Sequence, residues 1–349
     1  MVQTPEEIKE IGLVYVTDSM PGFYRKGRAQ NFYYEDQQGK KIKDEVQLER
    51  IRALVLPPAW TEVWIAPVKN AYLQATGIDA AKRKQYRYHQ KWTSRQSDLK
   101  YYRLLEFGHA LPQARKRIAL DLKRPVYDER KVLAICVQLM QKTLIRVGNE
   151  TYAQLYGSYG LSTLRNKHVR VNENGLKLKF VGKKGVKQEV NLSDRSLARM
   201  VKRCMEIPGQ ELFQYYTTGQ EHRGIDSGMI NNYIREITGG DFTAKDFRTW
   251  GGTLEAFRQM AVCTANVEED RPRKKIITAI LKCVAGKLGN TPAVCRSSYV
   301  YPLLLEAFET DQLAKFLKRI SVGKPGTVKA MENEERVLMQ FLKVSQKQK

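Results

Sequence analysis

The spacing of apolar residues changes near residue 90, and that change restricts the chain to a mixed fold. Upstream, apolar and aromatic residues form short alternating runs, GLVYVT, NFYYE and VWIAP, punctuated by Gly22, Gly39 and Pro57-Pro58. Alternation puts one face on a core and the other in water, which is the pattern of a strand. LERIRALVL, between two of these runs, reads as a short helix. From about residue 95 the interval lengthens to three or four. A helix through Leu104 and Leu105 is expected to end near Leu111-Pro112. Val132, Leu133, Cys136, Leu139, Met140 and Leu144 share one helical face, with Gly148 as the expected stop. DRSLARMVKRCMEI opens at a Ser193 or Asp194 cap, and DSGMINNYIREITG at Asp226 or Ser227. TAKDFRTWGGTLEAFRQMAV and KKIITAILKCVAGKLG continue the helical pattern. The exception is GLKLKFVGKKGVKQEVNL, two alternating runs around KKG, which reads as a β-hairpin. The expected class is α+β. A small strand-rich domain over 1–92 precedes a larger, mostly helical domain over 93–349, with a charged helical tail from about 325 to 349.

Charge then narrows the partner. The chain has 60 Lys+Arg against 37 Asp+Glu, a net charge of +23, which points to nucleic acid ahead of an anionic membrane. The densest stretch is AKRKQYRYHQKWTSRQSDLKYYR, residues 81–103, where cations alternate with aromatics and one acid, Asp98. Lys82, Arg83, Lys84 and Arg87 can neutralise phosphates, and tyrosine hydroxyls can bond them. No apolar run is long enough to span a bilayer. MVQTPEEIKEIG lacks the apolar centre of a secretion signal, so a cytoplasmic protein is expected. The five cysteines form no C-x-x-C and face only four histidines, which argues against zinc and against a disulfide framework. No G-x-x-x-x-G-K-[ST] loop and no carboxylate cluster mark a nucleotide motor or a two-metal nuclease.

The remaining chemistry rests on tyrosine. A phenol with a pKa of about 10 attacks poorly at neutral pH unless neighbouring cations favour its ionised form. If the target is a phosphodiester, a second negative charge develops during attack, and fixed donors must meet it. Arginine supplies a permanently charged planar fork, and lysine can protonate the departing alkoxide. Tyr299, Arg165, Arg248 and Lys183 would make a sufficient metal-free set.

The words around these residues are LRNKHV, FVGKKG, KDFRTW, LGNTPAV and SSYV, in that order. In order and spacing they resemble the type IB DNA topoisomerases, most closely the small bacterial and poxvirus-like forms, over roughly residues 10–320. The resemblance implies a tyrosine recombinase-like catalytic fold and an N-terminal domain that covers one side of a duplex. It implies that Tyr299 forms a 3′-phosphotyrosyl link, that Arg165 and Arg248 hold the non-bridging oxygens, and that Lys183 protonates the 5′-oxygen, with Lys184 as the fallback. Nine residues before the tyrosine, the family's histidine is Asn290 here, an amide donor without charge. KQYRYH matches a duplex-contacting segment, which adds Gln85, Tyr86 and Tyr88, and Lys245 is expected to contact DNA beside Arg248. The implied activity is relaxation of supercoiled duplex DNA without ATP, metal or other cofactor, by a monomer in the bacterial nucleoid. A tyrosine recombinase or integrase, and a non-catalytic basic DNA-binding protein, are the alternatives. Recombinases commonly carry H-x-x-R where this chain has Lys245-Asp246-Phe247-Arg248.

Overall fold

The computed structural model describes residues 5–28, 31–80, 82–219, 221–266, 272–320 and 328–347, apart from the side chains of 97–100, 102, 266, 328–330 and 347. Ala81 and the side chains of Asp98, Lys100 and Tyr102 in the basic stretch, and 325–327 and 348–349 of the expected tail, therefore lie outside the described residues. The chain divides into two units, Met1–Lys100 and Tyr101–Lys349. The division falls inside one long helix, α3 (Gln90–Leu122), whose start coincides with the change in apolar spacing.

The first unit contains α1 (Pro5–Lys9), β1 (Phe23–Lys26), β2 (Tyr33–Glu35), α2 (Glu45–Ala53), β3 (Thr61–Ile65), β4 (Leu73–Ile78) and β5 (Lys84–Tyr88). The strands form one antiparallel sheet in the order β2-β1-β3-β4-β5. Asp44 caps α2 by accepting from the Val46 N–H. One small core gathers Ile8, Trp64, Tyr72 and Trp92, and another gathers Ile51, Val63, Ile65 and Ala75. β5 is left as an edge strand, and its Lys84, Tyr86 and Arg87 are exposed.

The second unit is mostly helical. Its elements are α4 (Glu129–Thr143), α5 (Glu150–Tyr156), β6 (Val169–Asn172), β7 (Gly175–Val181), β8 (Lys187–Leu192), α6 (Arg195–Met205), β9 (Gln214–Tyr216), β10 (His222–Gly224), α7 (Ser227–Thr238), α8 (Ala244–Asn266), α9 (Arg273–Leu288), α10 (Pro292–Ser298), α11 (Pro302–Glu309), α12 (Ala314–Leu317) and α13 (Val328–Lys347). Helix α4 is buried on nearly every side, from Lys131 to Val137 and again at Leu139 and Met140. Asp194 and Asp226 are the caps of α6 and α7.

Four expectations change. GLVYVT forms no strand among the described residues, only a single bridge from Val14 to Ala71. Helix α3 runs through Pro112 to Leu122, because an isolated proline removes one N–H bond and the buried face of Phe107, Leu111, Ala114 and Ile118 holds the helix together. Helix α4 stops at Thr143, short of Gly148. Leu144 turns left-handed (φ 57°), its N–H bonds the Met140 carbonyl at 2.7 Å, and the Thr143 hydroxyl bonds the Leu139 carbonyl. The Leu144 side chain lies against Gly251 of α8 so closely that a Cβ there would come within 2.4 Å of it. The hairpin, β7 and β8, gains a third strand, β6, on the far side of β7.

Candidate active site

Helix α8 carries Lys245, Arg248 and Gly252 on one face, by the three-to-four residue rule of a helix. Arg248 is buried, with 3% of its surface exposed. Its Nη1 donates to the carbonyl of Leu144, and its Nη2 to the carbonyl of Leu288 at 3.0 Å. Its Nε is buried and has no hydrogen-bond partner among the described residues.

Helix α9 ends at Leu288 because Gly289 adopts a left-handed conformation, φ 59°. The Asn290 N–H then bonds back to the Ala285 carbonyl at 3.0 Å. Arg146 holds this turn from the α4 side. It donates through Nη1 to the Gly289 carbonyl at 3.2 Å and through Nη2 to Asn290 Oδ1. Asn290 Nδ2 is a second buried donor without a partner among the described residues.

Thr291 caps α10, and Tyr299 closes that helix with its N–H on the Cys295 carbonyl. Gly252 lets the backbone approach: a Cβ there would lie 3.0 Å from the Tyr299 carbonyl oxygen and 3.2 Å from its Cβ. The Arg248 Cζ lies 5.1 Å from the centre of the Tyr299 ring. Burial alone would push this phenol up. The charge and contact of Arg248, with the charges of Arg146 and Lys245, outweigh that and bring it below the ordinary phenol value.

Lys183 sits in the turn between β7 and β8. Gly182 bonds Val186 across the turn, and Lys184 and Gly185 both take positive φ, 64° and 75°. Lys183 lines one small cavity together with Arg146, Arg248, Tyr159 and Lys287. The exposed Lys184 is not part of that lining. The cavity is therefore cationic, and of the two unpartnered donors the Arg248 Nε belongs to a lining residue, whereas Asn290 and Tyr299 are not part of the lining. Unsatisfied buried donors are rare in folded proteins and mark places where an outside acceptor is accommodated.

Among the expected residues, the structure brings together Tyr299, Arg248 and Asn290, and it sets Lys183 in the wall beside Arg248. Arg165 makes its contacts with Gln210 and Tyr159. Its Nη1 meets Gln210 Oε1 at 3.4 Å, and its Cζ stands 5.7 Å from the ring of Tyr159, which lines the cavity; like Tyr299 and Asn290, Arg165 itself does not. The arginine that the structure sets against Asn290, with its charge acting on Tyr299, is Arg146. The reason is the early stop of α4, which turns Ile145 and Arg146 toward the end of α9. Arg146 is detectable only as a charge inside the apolar run Leu144-Ile145-Arg146-Val147, where burial demands partners. Lys287 and Thr253, which hold the site from α9 and α8, have no signal in the sequence.

The residues expected on DNA lie mostly on β5. Arg83 and Gln85 are bonded to Asp79 Oδ2, and Lys84 is bonded to Asp18 at 2.5 Å. Tyr86 and Tyr88 stack at 6.0 Å, and Tyr88 continues to Tyr72 and Tyr15. Lys82 and Arg87 are exposed. Cys295, beside Tyr299, is buried, and burial pushes its thiol up to about 11 against the pull of Arg248 and Arg146. Among the described residues no group of three or more His, Cys, Asp or Glu could hold a metal ion, and no helix is long and apolar enough to cross a membrane.

Comparison with known proteins bears on most of the chain. Residues 82–320 match the family model of the catalytic core of eukaryotic DNA topoisomerase I, and residues 31–79 match that of the bacterial DNA topoisomerase IB N-terminal domain. The DNA topoisomerase 1B of Acanthamoeba polyphaga mimivirus is 33% identical over 302 residues, which cover 84% of this chain and 89% of that protein. The DNA topoisomerase 1B of Vaccinia virus (strain Copenhagen) is 23% identical over 232 residues, covering 66% and 70% of the two chains.

Proposed function

The chain belongs to the type IB DNA topoisomerases, and from that premise we propose how its own residues carry the reaction. The observation that carries the proposal is the Arg248 guanidinium 5.1 Å from the centre of the Tyr299 ring, with the charges of Arg146 and Lys245 also favouring the ionised phenol. The phenol gives up its proton to solvent, and its oxygen attacks a backbone phosphorus of duplex DNA. The bond from phosphorus to the 5′-oxygen breaks as the bond to tyrosine forms, leaving a 3′-phosphotyrosyl link. Arg248, through its unpartnered Nε, and Arg146 stabilise the charge that builds on the non-bridging oxygens. Asn290 offers its unpartnered Nδ2 to the same oxygens and fixes Arg146 through its Oδ1. Lys183 gives a proton to the departing 5′-oxygen, with Lys184 its nearest substitute.

The phosphodiester's free energy is kept in the tyrosyl link, so resealing is the reverse step and needs no ATP. Between the two steps the free end rotates and supercoils relax. Arg165 contacts the DNA backbone and braces Tyr159, itself a wall of the cavity. The exposed Lys82, Arg87 and Tyr86 engage the duplex from the first unit, with Tyr88 stacked beneath. Arg83, Lys84 and Gln85 exchange their acidic partners for phosphate or base edges. The second unit is read as the tyrosine recombinase-like catalytic fold. The working form is a monomer in the nucleoid, because one chain carries the whole residue set.

The test is relaxation of supercoiled plasmid with EDTA present and ATP absent, quenched with detergent. The wild-type chain relaxes the plasmid and leaves protein on the 3′ side of a nick, while Tyr299→Phe does neither. Sequence-dependent trapping without relaxation would instead mean a recombinase.

A further inference from the structure

Two adjacent acids, Glu334 and Glu335, are buried in α13 at 3% and 7% exposure. Buried carboxylates are costly unless they are paired and fully bonded. Both are. Glu335 takes a two-pronged contact from Arg115 of α3, at 2.6 and 2.7 Å, and the indole N–H of Trp250 at 3.1 Å. Glu334 accepts from Arg258 Nε at 3.0 Å, and Arg258 Nη1 donates to Glu255. Glu255 accepts in turn from Lys287 of α9 at 2.8 Å. The helix bearing these acids lies beyond residue 320, where the family's matched stretch ends.

Both chains of contacts end beside the active site. Trp250 is two residues from Arg248 on α8, so the two side chains leave the helix about 200° apart. A bond to Trp250 on one side therefore sets the rotation of α8, and with it the position of Arg248 on the other. Trp250 is seated in a notch at Gly108, where a Cβ would lie 2.6 Å from the indole. Lys287 adjoins Leu288, whose carbonyl anchors Arg248.

We propose that Glu335 is a positioning residue for strand cleavage: α13, through Glu335 and Trp250, holds α8 in the rotation that seats Arg248 beside Tyr299. The inference rests on the reading of Arg248 as a clamp on the reacting phosphate. Glu334 backs it through Arg258, Glu255 and Lys287, so the C-terminal helix is part of the machinery that aligns the site.

The experiment is single-turnover cleavage of a nicked-release duplex by the full chain at saturating enzyme, with duplex affinity and circular dichroism measured on the same samples. Glu335→Ala slows cleavage on the order of 100-fold, the loss expected for a misplacement of about 1 Å, with duplex affinity unchanged. Trp250→Phe removes one donor only and slows cleavage less, and it decides the matter alone if Glu335→Ala does not fold. Glu335→Gln recovers part of the rate, since its amide oxygen still accepts from the indole. In an Arg248→Lys background, Glu335→Ala adds nothing further, because it acts through Arg248. Wild-type rates in folded Glu335→Ala and Trp250→Phe would overturn the proposal, as would a loss that adds in full to that of Arg248→Lys. Failure of the wild-type chain to form any covalent complex would overturn the reading of the site itself.

Discussion

The Thr253 hydroxyl bridges the backbone on either side of the nucleophile: it donates to the Tyr299 carbonyl at 3.1 Å and accepts from the Tyr301 N–H at 3.2 Å. Tyr101 adds a bond from its hydroxyl to the Val300 carbonyl between them. Thr253 is fully buried, so Thr253→Val keeps the shape and leaves two backbone groups unpaired. The expected loss of stability is about 1–3 kcal/mol, read by urea unfolding. Cleavage slows at saturating DNA, and Thr253→Ser restores it. A valine variant that cleaves at the wild-type rate would detach Thr253 from the placement of Tyr299.

Arg146 and Arg165 are separable by mutation. Arg146→Ala removes a charge from the phenol and the support of Asn290, so cleavage falls by roughly 100-fold or more, the scale of a lost transition-state donor. Arg165→Ala, which removes a brace behind Tyr159, weakens duplex binding more than it slows the bound reaction. Single-turnover rates against enzyme concentration resolve the two effects. The reverse pattern would return the catalytic role to Arg165.

The tyrosine's ionisation predicts a pH profile. Its value is depressed by Arg248, Arg146 and Lys245 against the opposing effect of burial. The phenolate fraction, and with it the cleavage rate, rises with pH and levels off below the range of a free phenol. Lys245→Ala removes one cation and raises the phenol's value, so the inflection moves to higher pH and the neutral rate drops. An inflection that stays in place would remove Lys245 from the electrostatics of the site.

Binding through exposed cations is salt-dependent. Arg87→Ala on β5 should lower the slope of log affinity against log salt by about 1, the value for one lost phosphate contact. Cleavage at saturating enzyme stays unchanged. An unaltered slope would take Arg87 off the duplex.

The parts of this site legible in sequence are those set by neighbours in the chain. Tyr299, Arg248, Lys183 and Asn290 lie in local words whose turn and cap residues, such as Gly289 and Thr291, are also local. The change from alternating to helical spacing likewise located the strand-rich front and the start of α3. Arg146 was hidden because its role depends on where α4 stops. That stop is set by Leu144 packing on Gly251, a contact between segments far apart in sequence. The same holds for Pro112, tolerated because tertiary packing outweighs one missing bond. The anchors Glu334 and Glu335 look like ordinary surface acids until α13 is docked.

Arg248 is held by the carbonyls of Leu144 and Leu288, the trailing ends of two helices, and by no carboxylate among the described residues. Such ends carry about half a negative charge each, from aligned peptide dipoles. The guanidinium is thus steadied without a resident anion. An arriving phosphate has no acid to evict, and a departing one leaves no bare cation looking for a replacement. Neither direction of strand transfer waits on a counter-ion exchange at this arginine, which suits a site that must break and rejoin the same bond.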